Sequence, residues 1–303
     1  MGEGIMRLRQ RHRPARRQGA VRRREGAAMA GLSIAGAIVL LAAGLLLYAL
    51  KVEPYRLTVN EHCLNEPFEG SEELRIVQLS DIHIKPEYTV RQLKRIVDKA
   101  NELAPDLIVF TGDLYDRYNA YRDDENVVHE LRRLKARYGK IAIWGNHDCA
   151  GGEVKGYRDV IEGSGFTLLQ DENCYLYTDL GHAVMVTGID DYLGGKPYMP
   201  DESKSSPWDF QILLVHEPDV VDQYVDYDYD IVLAGHTHGG QVRLPFMKPP
   251  VTTKLGKTYT NGIYTIKGRT ATQALHVNTG LGTSRFTIRF CVVPEIALLR
   301  AYL

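Results

Sequence analysis

Five short apolar runs, each closed by a polar cluster, recur between residues 74 and 240. LRIVQL (74–79) ends in Ser80-Asp81-Ile82-His83, and DLIVF (106–110) in Thr111-Gly112-Asp113. KIAIW (140–144) ends in Gly145-Asn146-His147-Asp148 and QILLV (211–215) in His216-Glu217-Pro218-Asp219. DIVLA (230–234) ends in Gly235-His236-Thr237-His238-Gly239-Gly240. Runs of this length followed by turn signals predict strands buried on both faces. Between the first two, Val90, Leu93, Ile96, Val97, Ala100 and Leu103 share one helical face; Val127, Val128, Leu131 and Leu134 do so less strictly before the third. Strands alternating with helices predict an α/β sheet, with ligand sites beyond the strands' carboxyl ends. A hairpin is expected over 174–188 around Asp179-Leu180-Gly181-His182, and a second β-rich block over 259–303.

The front of the chain follows neither period. Residues 26–50 carry no charge, and as a helix they span roughly 37 Å, enough to cross a hydrocarbon core of ~30 Å. Nine arginines precede this segment, whereas Lys51 and Arg56 are the nearest basic residues after it. The positive-inside rule therefore predicts a single-pass cell-membrane protein with a cytoplasmic N-terminus and an extracytoplasmic remainder. The apolar region is longer than that of a signal peptide and its exit, YALKVEPY, offers no good cleavage site, so an uncleaved anchor is expected. Met6 stands where N-myristoylation prefers Ser or Thr. The expected organisation is a basic arm over 1–25, an anchor over 26–50, a linker over 51–72 and one catalytic domain over 73–303.

Composition is that of a folded chain: 303 residues, 44% hydrophobic and 25% charged, with four cysteines. That excludes a disordered chain, a collagen-like repeat and a disulfide scaffold. The formal net charge of −1 hides a division, because residues 1–25 hold nine Arg and two Glu and the remainder is correspondingly acidic. An Arg-rich arm beside a membrane helix is a topology signal that also favours anionic lipid, and no nucleic-acid partner is expected. Oligomeric state has no signal here. If the domain is exported, disulfides are permitted; four cysteines allow three full pairings, and the sequence does not choose among them.

The polar clusters contain seven side chains of metal-ligand type: Asp81, His83, Asp113, Asn146, His216, His236 and His238. They lie far apart in sequence, and the ends of buried strands would bring them together. Imidazole and carboxylate without thiolate suit Mn, Fe, Zn or Co and disfavour a structural zinc finger. Seven ligands exceed one tetrahedral ion but suit two divalent ions sharing a carboxylate, about 3.5–4 Å apart, which clamp a phosphoryl centre. There is no G-x-S-x-G elbow and no phosphate-binding P-loop, which removes support for acyl transfer and NTP binding.

Taken together, DIH, GDLYD, GNHD, HEPD and GHTHGGQ resemble the calcineurin-like metallophosphoesterase superfamily, over about residues 75–300. GHTHGGQVRLP, HEPD and VNTGLGTS (277–284) resemble its membrane-anchored or exported bacterial phosphodiesterase branch. The resemblance implies a four-layer α/β/β/α sandwich and a dinuclear centre. It implies that Asp81, His83 and His238 hold the first metal, that Asn146, His216 and His236 hold the second, and that Asp113 bridges. His147 would stand over the phosphate, held by Asp148, while a metal-bound hydroxide attacks in line.

His12, His62, His129, His182 and His276 match no element and are expected to be structural or on the surface. Asp116 either orients a ligand or caps a helix, Gln241 or Arg243 are candidate phosphate contacts, and Cys149 is expected to pack rather than ligate. Loops 192–208 and 242–251 mix apolar residues with Lys and Pro; they read as surface loops, with Phe246 and Met247 as candidates to meet a lipid. The leading expectation is a metal-dependent phosphoesterase acting on a phosphodiester or pyrophosphate, lipid-linked substrates included. A phosphomonoesterase or protein phosphatase is the alternative enzyme. A cytoplasmic lipid sugar-nucleotide pyrophosphatase fits the predicted topology poorly. A non-catalytic metal-binding membrane module would leave His147 and Asp148 without a purpose.

Overall fold

Leu74 and Ile76 of β2 (Glu73–Leu79) face one apolar cluster, while Val77 and Leu79 of the same strand face another. The same alternation divides Leu107 and Val109 from Ile108 and Phe110 in β3 (Leu107–Phe110). With both faces buried, β3 reads as an unbroken apolar run, and β2 as one interrupted only by Arg75 and by the buried, hydrogen-bonded Gln78.

The computed structural model describes residues 15–149, 154–200, 208–227, 229–268 and 272–303. The chain divides into two compact units, one ending at Tyr48 and one beginning at Ala49. The first is carried by α1 (Ala15–Lys51), which extends well before the uncharged segment. Gly31–Tyr55 is long and apolar enough to cross a membrane, and Met29, Leu32, Leu40 and Leu47 are exposed.

The second unit contains two six-stranded mixed sheets. Beyond β2 and β3 these comprise β1 (Thr58–Cys63), β4 (Gly139–Ala142), β5 (Thr167–Leu168), β6 (Glu172–Tyr177), β7 (Ala183–Gly188), β8 (Phe210–Leu214), β9 (Ile231–Ala234), β10 (Gly262–Lys267), β11 (Thr272–Val277) and β12 (Glu295–Tyr302). One sheet runs β1-β12-β2-β3-β4-β5 and the other β10-β11-β9-β8-β7-β6. β2, β3, β4 and β5 are mutually parallel, as are β7, β8, β9 and β11. A cluster including Ile76, Val109 and Ile141 from the first sheet and Val186, Ile212 and Leu233 from the second fills the space between them.

α2 (Val90–Glu102), α3 (Asp124–Arg132) and α5 (Val154–Gly163) cover the outer face of the first sheet; α4 (Asn146–Cys149) is a single turn after β4. Thr89 and Gln92 form a reciprocal capping box at the start of α2. Over the second sheet the outer layer consists of 3-10 turns and loops, Pro218–Gln223 and Val225–Tyr227 among them, rather than long helices. Only sixteen residues separate β8 from β9, and they must also carry the cluster that begins at His216.

The expected hairpin is β6 and β7, paired antiparallel. The stretch 51–72, expected to be a linker, carries β1, which pairs in parallel with β12. Its sequence, TVNEHC, has no apolar run because it is a half-exposed edge strand. Cys63, Cys149, Cys174 and Cys291 are all unpaired. Residues 201–207 of the loop over 192–208, and His12, lie outside the described residues.

Candidate metal centre

Each strand end turns sharply into the cleft. Asp81 and His83 after β2, Asp113 after β3, and His236 and His238 after β9 all have left-handed backbone, with φ from 49° to 68°. Non-glycine residues avoid that region, and such positions persist where the surroundings over-determine them. Here the determinants are hydrogen bonds between strand ends. The Asp81 amide donates to the Gly112 carbonyl (2.9 Å), the His83 amide to the Asp113 carbonyl (3.1 Å), and the His236 amide to the Asp81 carboxylate (3.0 Å to one oxygen). Gly145 lies so close to Asp113 that a methyl group there would overlap Asp113 Oδ1, the oxygen that accepts the His147 amide at 2.8 Å.

The result is a buried knot of carboxylates and imidazoles. His83 Nε2 and His238 Nε2 lie 2.9 Å apart, with Asp81 Oδ1 3.8 Å and 3.4 Å from them respectively. Asp113 Oδ2 is 3.4 Å from His83 Nε2 and 3.3 Å from His216 Nε2. Asp81, His83 and His216 are fully buried; Asp113, Asn146, His147, His236 and His238 line a cavity of about 230 Å³ above them.

Backbone carbonyls orient the rings. The Thr111 carbonyl faces His216 Nδ1 (2.6 Å) and the Lys254 carbonyl faces His236 Nε2 (2.8 Å). A carbonyl only accepts, so those nitrogens carry hydrogens, and in the neutral rings that would ligate a metal His216 Nε2 and His236 Nδ1 are the nitrogens with lone pairs. His216 Nε2 and Asn146 Oδ1 are buried without a hydrogen-bond partner.

The electrostatics are internally conflicted. Burial would raise the Asp113 carboxyl, but His216 and His147 hold it well below the usual range. Burial likewise opposes ionisation of Asp81, and His238 and His83 overcome it. Against burial, Asp116 and Asp81 push His83 up to about 9, whereas burial and then His216 bring His236 down to about 4. Protons therefore satisfy neighbouring rings in opposite ways. Divalent cations would satisfy carboxylates and ring lone pairs together, so the donor set fits metal. Asp81-His83-His238 and Asp81-Asp113-His216 are each compact enough to hold an ion. A third grouping is His83-Asp116-His147, in which the Asp116 carbonyl already takes the His147 Nδ1 hydrogen at 2.6 Å.

One expectation needs correction. Asp148 is not bonded to the His147 ring: its carboxylate accepts the amides of Asp113 (2.7 Å), Leu114 (3.0 Å) and Gly145 (3.0 Å). Adjacent side chains on one helical turn diverge, so Asp148 points back under the strand ends while His147 faces the cavity. Asp116, left between two roles, lies with Oδ1 3.5 Å from His83 Nδ1, and α3 is preceded by Asp123 instead. Gln241 and Arg243 are both engaged within the protein, with Ser284 and Asn261. Cys149 packs against the first apolar cluster, and burial pushes its thiol up.

Sequence reasoning missed Arg289. It is fully buried, bonds the carbonyls of Thr279 (2.8 Å), Gly280, Gly282 and Val292, and approaches His238 Nδ1 at 3.4 Å. A lone arginine matching no motif reads as surface, and only closure of the 279–292 loop around it reveals otherwise. The Thr111 and Lys254 carbonyls leave no trace in a sequence at all.

These features agree with comparisons across known proteins. Residues 74–240 match the calcineurin-like phosphoesterase family. The uncharacterized metallophosphoesterase YkuE of Bacillus subtilis is 38% identical over 273 residues, covering 89% of this chain and 93% of that protein. The UDP-2,3-diacylglucosamine pyrophosphatase LpxG of Chlamydia trachomatis is 28% identical over 84% of this chain and 92% of its own length. The fold resembles Haemophilus influenzae NAD nucleotidase (NadN), with a TM-score of 0.50 at 13% identity, covering 70% of this chain and 46% of that one. With its strand-end clusters gathered into one cleft and more than half its length matched, this chain belongs to the calcineurin-like metallophosphoesterase family.

Proposed function

We propose that this chain is a phosphoric ester hydrolase with two divalent ions, acting on a phosphodiester or pyrophosphate that is lipid-linked. The observation that carries the reading is Asp113 Oδ2, shared at 3.3–3.4 Å between His216 and His83, which belong to different ligand groups. In this reading Asp81, His83 and His238 would hold one ion, Asn146, His216 and His236 the other, and Asp113 both. Bound there, the ions supply positive charge to the phosphoryl oxygens and lower the pKa of water toward neutrality.

The chain's own groups do the rest. The His147 ring uses Nδ1 on the Asp116 carbonyl, so Nε2 is the nitrogen left to meet substrate. There, in its imidazolium form with a hydrogen on each ring nitrogen, it stabilises charge on the phosphoryl group and passes the Nε2 proton to the departing oxygen, becoming neutral. Asp148 holds the Asp113 and Gly145 turns together, keeping the cleft narrow. Similarity to a relative named as a pyrophosphatase, LpxG, supports a pyrophosphate or diester rather than a monoester as the substrate. Exposed Leu244, Phe246 and Met247, beside Lys248, support a lipid-linked substrate, as does the apolar N-terminal helix. The arginines before that helix favour a cytoplasmic N-terminus and an outward-facing catalytic domain over 73–303, with β1 as part of that domain.

Hydrolysis of bis(4-nitrophenyl) phosphate with added Mn tests the reading. Wild type should turn over, while Asp113→Asn and His147→Ala each lose about a hundredfold or more. Equal rates in all three would sink it. Faster turnover of 4-nitrophenyl phosphate than of the diester would favour the monoesterase alternative.

A further inference from the structure

Beside the metal cavity lies a second recess of about 370 Å³, lined by Lys85, Glu87, Asp116, Arg117, Arg285 and Phe286 among others. Arg285 lines both spaces. Among the described residues, neither Arg285 nor Arg117 has a side-chain hydrogen bond or ion pair, and both are exposed. The other charges are committed: Lys85 Nζ bonds the Thr283 carbonyl, and Asp116 faces His83. Glu87 is the one carboxylate left near the two guanidinium groups.

Arg285 is held in place by its backbone. Gln241 clasps the preceding residue from both sides: its Nε2 donates to the Ser284 carbonyl (3.1 Å) and its Oε1 accepts the Ser284 amide (3.0 Å). The Leu281 and Gly282 amides donate to the Ser80 and Asp81 carbonyls (3.0 and 2.7 Å), stapling the loop to the β2 turn. A methyl group on Gly282 would overlap the Ile82 carbonyl. Arg285 itself has φ 61°, the same left-handed backbone as the candidate ligands. An unpaired guanidinium on a loop this constrained, at the rim of a phosphate-sized cleft, has the character of a built anion contact.

On the phosphoesterase reading of the centre, we infer that Arg285, with Arg117 behind it, forms a subsite for a second phosphate adjoining the scissile one. A planar guanidinium offers paired donors that match phosphate oxygens. The subsite selects substrates with two linked phosphates over those with one. Gln241 is a positioning residue, acting through Ser284.

The test is calorimetric binding of ADP and AMP to the Mn-loaded full chain in detergent, at fixed free Mn. These probes share a nucleoside and differ by one phosphate. Wild type should bind ADP about tenfold or more tightly than AMP. In Arg285→Ala that ratio should fall toward one, and Arg285→Lys should keep part of it. Metal content and thermal midpoint verify that each variant is folded. A wild type without preference for ADP, or an Arg285→Ala that retains it, would overturn the subsite. Aryl diester hydrolysis with an unchanged ADP ratio in Arg285→Ala defeats the subsite alone. ADP preference without diester hydrolysis defeats the hydrolase reading alone.

Discussion

Asp148 accepts the Asp113 amide at 2.7 Å across 35 positions of sequence, and the same carboxylate oxygen takes the Gly145 amide at 3.0 Å. The turns after β3 and β4 are thus tied through one buried side chain. An Asp148→Asn variant keeps the shape but presents an NH₂ group where an oxygen accepted. Leaving a buried amide unmet costs about 1–3 kcal/mol. Chemical denaturation should show a loss of that order, together with a fall of tenfold or more in diester hydrolysis. A variant as stable as wild type would remove the clamp role.

Metal should stabilise the fold as well as support turnover. An ion that binds only the native state contributes about 2.7 kcal/mol at a hundred times its Kd. Titrating Mn into chelator-treated protein should therefore raise the thermal midpoint. In His216→Gln the bound metal measured by elemental analysis should drop from about two equivalents to about one. No thermal response to any divalent ion would count against the centre.

The cleft loop should matter more for lipid than for soluble substrate. Phe246 is fully exposed and Met247 is 60% exposed, so neither supports a core that its loss would disturb. For Phe246→Ser/Met247→Ser, turnover of a vesicle-presented diester relative to a soluble one should drop at least about fivefold, a little under 1 kcal/mol of lost apolar burial. An unaltered ratio would assign the loop to the surface alone.

Acid should weaken the fold through His276. Burial, then His62, lowers its imidazole to about 3, and Nδ1 donates to Gln78 Oε1 at 2.7 Å. Below pH 6.5 the unfolded ring takes up a proton that the folded ring refuses, so stability falls as pH drops from 6.5 toward 3. The slope reaches about 1.4 kcal/mol per pH unit from this residue. Urea denaturation of His276→Gln at saturating Mn should show a shallower decline between pH 7 and 4.5 than wild type. Parallel slopes would exclude the effect.

Orientation has a direct assay. A phosphatase reporter that is active only outside the cytoplasm, fused after Leu303, should be active. Activity of a cytoplasm-only reporter at the same position would reverse the topology.

The central strands and the centre are legible in the sequence for one physical reason: strands buried on both faces carry few polar side chains, and those they do carry, such as Gln78, must be hydrogen-bonded within the fold. Polar residues therefore collect at their ends, where Asp81, Asp113, Asn146, His216 and His236 stand. What escaped depends on contacts no local pattern records. β1 hides among polar residues because it is an edge. β5 spans only two residues, too short for any period. Arg289 and Asp148 draw their roles from backbone groups that chain closure brings to them. Asp148 sits within a readable cluster, yet its partners are backbone amides rather than the His147 ring, because sequence adjacency says nothing about the direction in which each side chain leaves the turn.

β12 lies between β1 and β2 in the first sheet, although it follows every other described strand in the sequence. Until it pairs, β2 has a bare edge opposite β3, and the turn carrying Asp81 and His83 hangs from an incomplete strand. The β2 turn is therefore completed by a strand more than two hundred residues further along the chain, so the candidate ligands gather only once these distant segments have met.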